Sequence, residues 1–288
     1  MAGELITRDR QIEWRGVLFG AGTRFRVTSL AGWLDLPEQR GSDPALTGRH
    51  GSYPGQRLST GRTVTVETSI LASAEEFPAV VDALRRATAP DEDPIEEPLV
   101  VRVHGESWMV WARCTRRTIP TDRQFAIGYT RASLQWQATD PRLYSAVEQV
   151  AHTPLATPAG GGARFPLAFP VSLGPGRTGG GLVAHNTGHV PTWPVLEVSG
   201  PCRGPVITFA SGRQLGFDPA FTVLAGQTLV IDTGLRTVEI SDVSVRSRLW
   251  AHQWTPFQPG PNPVRFAAAT GFFHPDTRLR ARWRHTQH

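Results

Sequence analysis

The feature that most constrains the fold is an alternating apolar segment that stops at a proline near the middle of the chain. The segment runs from Phe125 to Trp136, and Asp140-Pro141 follows it. Proline fixes its own φ angle, lacks a backbone N–H and disfavours helix in the residue before it. A strand is therefore expected to end here. In a chain of 288 residues this predicts two domains, residues 1–144 and 145–288.

Four residues at this junction are expected to be structural: Asp140, Pro141, Arg142 and Tyr144. We expect Pro141 to end the strand, and Asp140 and Arg142 to hold the turn that follows. Residues 145–182 contain repeated Gly and Pro, which interrupt regular structure. The second domain is therefore predicted to begin with a linker-like segment.

The first half reads as strands with one helix. Arg62–Ile70 alternates, with Val64 and Val66 on one face, which predicts a half-buried strand. A helix follows, which begins either at the capping-box sequence Ser73–Glu76 or near Pro78, and ends before Pro90.

Two further features concern the later strands of this half. Leu99–Val103 and Trp108–Ala112 flank a turn-like sequence, which predicts a β-hairpin. The apolar phase slips by one residue between Tyr129 and Ala132, which predicts a β-bulge at Thr130–Arg131.

The second half contains short strand-like segments separated by Gly, Pro and Asn turns, and no convincing helix, which is typical of a β-sandwich or barrel. The predicted strands are Trp193–Val198, Val206–Phe209, Thr228–Asp232, Arg236–Ser241, Val264–Ala268 and Arg278–Arg284.

The charge of the chain is modest and uneven. By count, residues 1–144 hold 18 Arg and 18 acidic residues, and residues 145–288 hold 12 and 7, so the net charge of +5 belongs to the second half. Such an excess is too small for a dedicated nucleic-acid-binding domain. No apolar run reaches the roughly 18 residues that a membrane helix requires. We expect neither a membrane nor a specific nucleic acid as partner, and we expect synthesis in a cytoplasm.

No set of residues predicts catalysis, a metal site or a cofactor. Lysine is absent, which excludes a Walker A loop, and Gly174–Gly179 matches GxGxxG without a helix to follow it. His185 and His189 have metalloprotease spacing but lack the catalytic Glu and lie near Pro191, so a turn is expected. The two cysteines, Cys114 and Cys202, stand far apart and are expected to be buried thiols.

Two groups of side chains in the second half are candidates for interfaces. Arginines recur on one face of the last predicted strand, where they form either a solvated face or a contact with an anionic partner or a neighbouring subunit. They are Arg278, Arg280, Arg282 and Arg284. Three tryptophans are candidates for sugar stacking, although packing in a core or interface is the default for this residue. They are Trp193, Trp250 and Trp254.

A series of short motifs resembles the distal tail protein family of long-tailed bacteriophages with non-contractile tails. In the first half they are Trp14–Gly20, Arg49–Gly55, Arg62–Ile70, the helix before Pro90, Pro120–Phe125 and Ala138–Tyr144. In the second half they are Asn186–Gly188, Pro194–Gly200, Thr228–Asp232, Arg236–Val238 and Pro259–Phe266. The series covers nearly the whole chain, although no single motif is specific. Departures are the long glycine-rich segment between Val150 and Leu182 and an extra proline in Gln258–Asn262.

The resemblance implies a mainly β protein without enzymatic activity. Its first domain would be a split β-barrel with one helix that assembles a hexameric ring, and its second a galectin-like β-sandwich outside the ring. The ring would join the tail tube to the baseplate or tail tip in the virion. Its partners would be the tail tube protein, the tail-associated hub protein, the tape-measure protein and receptor-binding proteins. The alternative is a carbohydrate-binding module for host cell-wall sugars, and an enzyme such as a glycoside hydrolase is the least favoured interpretation.

Overall fold

A computed structural model describes residues 2–93, 95–157 and 179–288. The chain is mostly β, with 47% of residues in strands, which confirms the predicted fold class. It divides into two compact units, Met1–Val147 with Gln287–His288, and Glu148–Thr286. Most of the predicted linker-like segment, residues 158–178, lies outside the described residues. None of the helices in the described ranges is long and apolar enough to span a membrane.

The first unit is built on one large sheet. Its strands are β1 (Ile12–Trp14), β2 (Val17–Phe19), β3 (Phe25–Ala31), β4 (Gln39–Arg40), β5 (Leu58–Ser59), β6 (Arg62–Leu71), β7 (Glu97–Val103), β8 (Glu106–Thr118), β9 (Tyr129–Ala138) and β10 (Leu143–Ser145). The sheet has the order β2-β1-β7-β8-β9-β6-β3, β10 pairs with β8, and β4 pairs with β5 in a separate ribbon. Strand β3 therefore forms one edge of the large sheet, and β2 forms the other.

The one α-helix among the described residues, α1 (Phe77–Ala87), packs on this sheet through Phe77, Val81 and Leu84. It begins at Phe77-Pro78, as one of the two sequence alternatives predicts, because proline fits the first turn, where no backbone N–H is needed. The capping-box alternative is wrong: Ser73 Oγ accepts from the Glu76 N–H in a turn that precedes the helix.

The hairpin of β7 and β8 confirms its prediction, with a tight loop of His104 and Gly105. The bulge predicted at Thr130–Arg131 is wrong, because β9 pairs with β6 without a shift from Tyr129 to Ala138. The apparent change of phase arises because Phe125–Ile127 is a 3₁₀ turn that ends at Gly128, which has φ 84°. The sheet does contain a bulge on β8, between Cys114 and Arg116.

The second unit consists of two facing sheets and a short ribbon. Its strands are β11 (Gln149–Pro154), β12 (Gly181–Asn186), β13 (Val195–Ser199), β14 (Cys202–Arg203), β15 (Val206–Phe209), β16 (Gln214–Phe217), β17 (Thr222–Val223), β18 (Thr228–Asp232), β19 (Thr237–Ile240), β20 (Val243–Ser244), β21 (Leu249–His252), β22 (Gly260–Ala267) and β23 (Arg278–Trp283). All six strands predicted for this half are present, with ends shifted by up to four residues.

The two sheets have the orders β11-β23-β13-β18-β19-β20 and β12-β22-β15-β16-β21. Inward residues of both sheets form one hydrophobic cluster, with Leu196, Ile231 and Leu279 from the first and Ile207 and Phe266 from the second. The predicted β-sandwich is therefore present, since two sheets that share one core form this architecture. Its assignment as galectin-like stays a prediction.

Candidate functional site

Three of the four junction residues, Asp140, Arg142 and Tyr144, form a compact polar network. Arg142 donates from Nε to Asp140 Oδ1 at 2.9 Å and from Nη2 to Oδ2 at 2.6 Å. The Tyr144 hydroxyl donates to the same Oδ2 at 2.6 Å, and the backbone N–H of Arg142 donates to Oδ1 at 3.1 Å. Strand β9 ends at Ala138, and the network spans the turn between it and β10.

The network shifts the pKa values of its members. Burial alone would raise the pKa of Asp140, but the hydrogen bonds from Arg142 and Tyr144 outweigh it and hold the pKa below its usual value. The bond with Asp140 raises the pKa of Arg142, and burial raises that of Tyr144. All three groups therefore keep one protonation state around neutral pH, as expected of a structural network and not of a general acid or base.

A buried arginine, Arg62, joins this junction to another segment of the first unit. Its side chain is 1% exposed. Nε donates to the carbonyl of Pro141 at 2.8 Å, and Nη1 donates to the carbonyls of Gly32, Trp33 and Asp35 at 2.7, 2.7 and 3.0 Å. Burial lowers its pKa. The sequence analysis did not single out Arg62. Its position gave a signal, because alternate residues of a strand share one face, and Val64 and Val66 of the same strand face inward.

The segment that Arg62 holds, residues 32–61, contains a separate two-stranded ribbon, and we call the whole segment the extension. Strands β4 and β5 pair within it, and Asp43 supports its turn by accepting from the Gly55 N–H at 3.0 Å and pairing with Arg57. Four large apolar side chains in the extension are exposed: Leu34 (68%), Leu36 (71%), Tyr53 (58%) and Leu58 (47%). Such a concentration of exposed apolar residues is typical of an interaction surface.

An open cleft runs beside the edge strand β3. A cavity of about 1300 Å³ is lined by β3, α1, Leu18 of β2 and the residues after β2, with Phe25 and Val80 among the lining residues. A second cavity of about 530 Å³ shares Val27 with it and is lined also by Ile12, Leu30 and Val103. The first cavity also has charged lining residues, among them Arg24, Arg26 and Glu76. The cleft therefore has a mixed polar and apolar lining and lies against an unpaired strand edge, which is a common place for another chain to bind.

The arginine face of β23 is largely neutralised within its own unit. Leu279, Ala281 and Trp283 point into the core, so the arginines point outward. Arg282 Nε contacts Glu197 Oε1 at 2.8 Å, Arg282 Nη1 contacts Glu148 Oε1 at 3.2 Å, and Arg280 contacts Glu197 at 3.4 Å.

These acidic neighbours also affect the pKa values of the arginines on this face. Burial alone would lower the pKa of Arg282, but Glu197 and Glu148 outweigh it and raise the value, whereas burial lowers the pKa of Arg284. Arg278 is exposed. The face is therefore not a free basic patch.

The three candidate tryptophans have different surroundings. Trp193 precedes β13 and lies against Gly234, in the turn between β18 and β19. Trp254 packs partly into the core, with the guanidinium of Arg246 at 5.7 Å from its ring centre. Trp250 lies on the other sheet, in the edge strand β21, and is 57% exposed. The contacts of the described residues do not join the three into one surface.

The residues with potential chemistry are scattered. Burial raises the pKa of the Cys202 thiol to about 12 and also raises that of Cys114. His185 lies in β12 and His189 in a bend after it, rather than on one helix face. No group of three or more His, Cys, Asp or Glu that could hold a metal occurs among the residues described. The motif Gly174–Gly179 lies outside them except for Gly179.

Comparison with solved structures identifies the fold. The crystal structure of the SPP1 Dit (gp 19.1) protein matches 97% of this chain and 99% of its own, with a TM-score of 0.65 and 11% sequence identity. The chain has the Dit fold. The SPP1 protein is described as a paradigm of the hub adsorption apparatus in phages that infect Gram-positive bacteria.

Two structures of the phage P2 baseplate in its activated conformation, with Ca and with Sr, also contain a chain that is similar to this one. They match with TM-scores of 0.51 and 0.50, at 8% and 9% identity, and each covers 96% of this chain and 98% of the other. No protein-family model and no curated protein matches the sequence. The Dit fold is thus recognised through the structure.

Proposed function

We propose that this chain is a distal tail hub protein of a bacteriophage, a structural virion component that joins the tail tube to the baseplate or tail tip. The observation that carries the proposal is the likeness to the SPP1 Dit protein over 97% of this chain and 99% of that one. A match over both units and nearly the full length of each chain supports a shared role better than a match of one common β domain would.

The character of the candidate sites supports a structural role. The networked groups, Asp140, Arg142, Tyr144 and Arg62, hold turns and strands. The pKa values of Asp140, Arg142 and Tyr144 are shifted away from neutrality. A hub needs rigid surfaces rather than groups that exchange protons near pH 7. The chain therefore acts by holding other proteins, not by catalysing a reaction.

We infer that the first unit forms the ring. It carries both the exposed apolar side chains of the extension and a cleft along the edge strand β3. Two different surfaces on one unit suit a head-to-tail contact, which closes into a ring when successive rotations complete a full turn. The ring is expected to be hexameric. The tail tube protein, the tail-associated hub protein, the tape-measure protein and the receptor-binding proteins are the proposed partners around it.

The test replaces one exposed leucine in each unit. Leu36→Arg places a charge on the extension, and Leu235→Arg places one on the turn between β18 and β19; the two leucines are 71% and 76% exposed in the isolated chain. We expect Leu36→Arg to shift the assembly toward monomer, because it buries an unpaired charge in the interface. Leu235→Arg should assemble as the unchanged chain does. Light scattering coupled to size-exclusion chromatography measures both, and thermal melting verifies that each variant folds.

The proposal fails if the unchanged chain is monomeric at every concentration tested. If Leu36→Arg assembles normally while the unchanged chain forms rings, the extension is not the interface and that part of the proposal is wrong.

A further inference from the structure

Trp250 lies at an irregularity in the edge strand of the five-stranded sheet. Gly216 of β16 pairs with Ala251 of β21, and Phe217 pairs with Leu249, so Trp250 is an extra residue without a partner across the strands. Such β-bulges redirect a side chain and are enriched next to functional sites. Here the bulge turns the indole ring across the neighbouring strand.

The residue beneath the indole is a glycine. A Cβ atom at Gly216 would lie 2.6 Å from both Cε2 and Cζ2 of Trp250 and 2.9 Å from Nε1. Any side chain at position 216 would therefore displace the ring. The glycine lets the indole lie over the strand, which buries one side of it, while 57% of the residue stays exposed.

The outer face beside the indole carries small and polar side chains. The register places Thr208 opposite both Gln214 and Arg265, in the row next to that of Val206 and Gly216. Rows on one face of a sheet are about 7 Å apart, since each residue advances about 3.4 Å and alternate residues share a face. Gln214 therefore lies about one sugar ring along the strand from Gly216, and Thr208 and Arg265 follow it on the next two strands, which are about 4.8 Å apart.

The size of this apolar surface favours a small ligand over a protein. A stable protein interface buries about 1,000 Å² or more, whereas a tryptophan side chain offers about 250 Å² at most. A pyranose ring fits the surface better, because it has an apolar face of C–H groups to stack on the indole and a rim of hydroxyls for polar neighbours.

We propose that Trp250, seated on Gly216, is a stacking platform for a pyranose, with Gln214, Thr208 and Arg265 as hydrogen-bonding partners for its hydroxyls. The structure thereby separates the three candidate tryptophans, because Trp193 and Trp254 pack against Gly234 and Arg246. The site does not depend on the hub assignment, and it would give the second unit a means of holding polysaccharide.

The test is calorimetric titration of the full chain with three soluble probes: chitotetraose, cellotetraose and mannotetraose. The unchanged chain should bind at least one of them. Trp250→Ala should weaken that binding by at least about tenfold, the factor that corresponds to about 1.4 kcal/mol. Trp111→Ala is the matched control, since Trp111 is 41% exposed and belongs to the first unit; it should bind as the unchanged chain does.

Two further variants distinguish the platform from a general loss of structure. Gln214→Ala and Arg265→Ala leave the indole in place and should each weaken binding, and they carry the test if Trp250→Ala does not fold. Three results would overturn the proposal: no binding of any probe by the unchanged chain, equal binding by a folded Trp250→Ala or by both polar variants, or a changed oligomeric mass of Trp250→Ala. The last would make the indole a protein contact. Failure of sugar binding with an intact oligomer leaves the hub assignment untouched.

Discussion

Arg62 shows how a single charged side chain can organise two distant parts of a β unit. Its guanidinium is buried and donates to four backbone carbonyls, three at the base of the extension and one at Pro141. Carbonyl groups buried without a donor are costly, so the arginine satisfies acceptors that the strands leave open. The extension and the junction turn consequently depend on the same residue.

Arg62→Met is expected to lower the free energy of unfolding by about 3 kcal/mol or more, because several buried carbonyls lose their donor. Arg57→Ala, which removes an exposed ion pair with Asp43 in the extension, should change it by less than about 1 kcal/mol. Denaturant titration of the two variants measures the difference. Equal stabilities would show that the buried hydrogen bonds do not hold the extension.

Asp140 is expected to make stability depend on acid pH. Its folded pKa lies below that of the unfolded chain, so its contribution is complete above about pH 4 and is lost as the pH falls through the folded pKa. Asp140→Asn should therefore be less stable than the unchanged chain by about 1–2 kcal/mol at pH 7, because charged hydrogen bonds are stronger than neutral ones. The gap should narrow at lower pH.

Unfolding titrations between neutral and acid pH test this expectation, with Asp93→Asn in the exposed acidic loop as the control. A difference between Asp140→Asn and the unchanged chain that is absent, or that grows as the pH falls, would contradict it.

Among the elements, the hairpin of β7 and β8 has the clearest local cause. His104 and Gly105 have φ angles of 53° and 81°, the positive pair that a type I′ turn requires. Glycine adopts this geometry freely, whereas histidine adopts it at a cost that asparagine largely avoids. Asn-Gly would therefore suit this turn better than His-Gly does.

His104→Asn should raise the free energy of unfolding by about 0.5 kcal/mol, and Gly105→Ala should lower it by about 1 kcal/mol, through backbone preference alone. No atom outside the turn lies within 4 Å of a Cβ built on Gly105, so steric clash does not confuse the second variant. Thermal melting of both variants checks the signs. If both variants were more stable than the unchanged chain, or both less stable, the φ preferences of the two residues would not explain the stability of the turn.

Strict alternation made several elements predictable from the sequence. Val206–Phe209 and Thr228–Asp232 begin and end as expected, since turn residues flank a clean period of two. Phe125–Ile127 misled the same reasoning, because it has the apolar spacing of a strand but is a 3₁₀ turn. Asp122 starts that turn by accepting from the backbone N–H groups of Gln124 and Phe125. A prediction based on the spacing of apolar residues takes no account of this polar side chain.

The sites were less predictable than the elements. The sequence pointed to Asp140 and Arg142, because their contact spans only two residues. It could not supply the partners of Arg62, which lie 27 to 79 residues away. The seat of Trp250 on Gly216 likewise depends on a bulge and on strand pairing, neither of which a single sequence specifies.

For the whole molecule, the central claim is that this chain with the Dit fold builds a closed ring. Electron microscopy of the purified full-length chain tests the claim most directly, because it shows both the number of copies and whether the contact closes. We predict ring-shaped particles of one size with sixfold symmetry and a central opening, formed without any other phage protein. Single particles of monomer size at all concentrations, or open filaments, would contradict the claim.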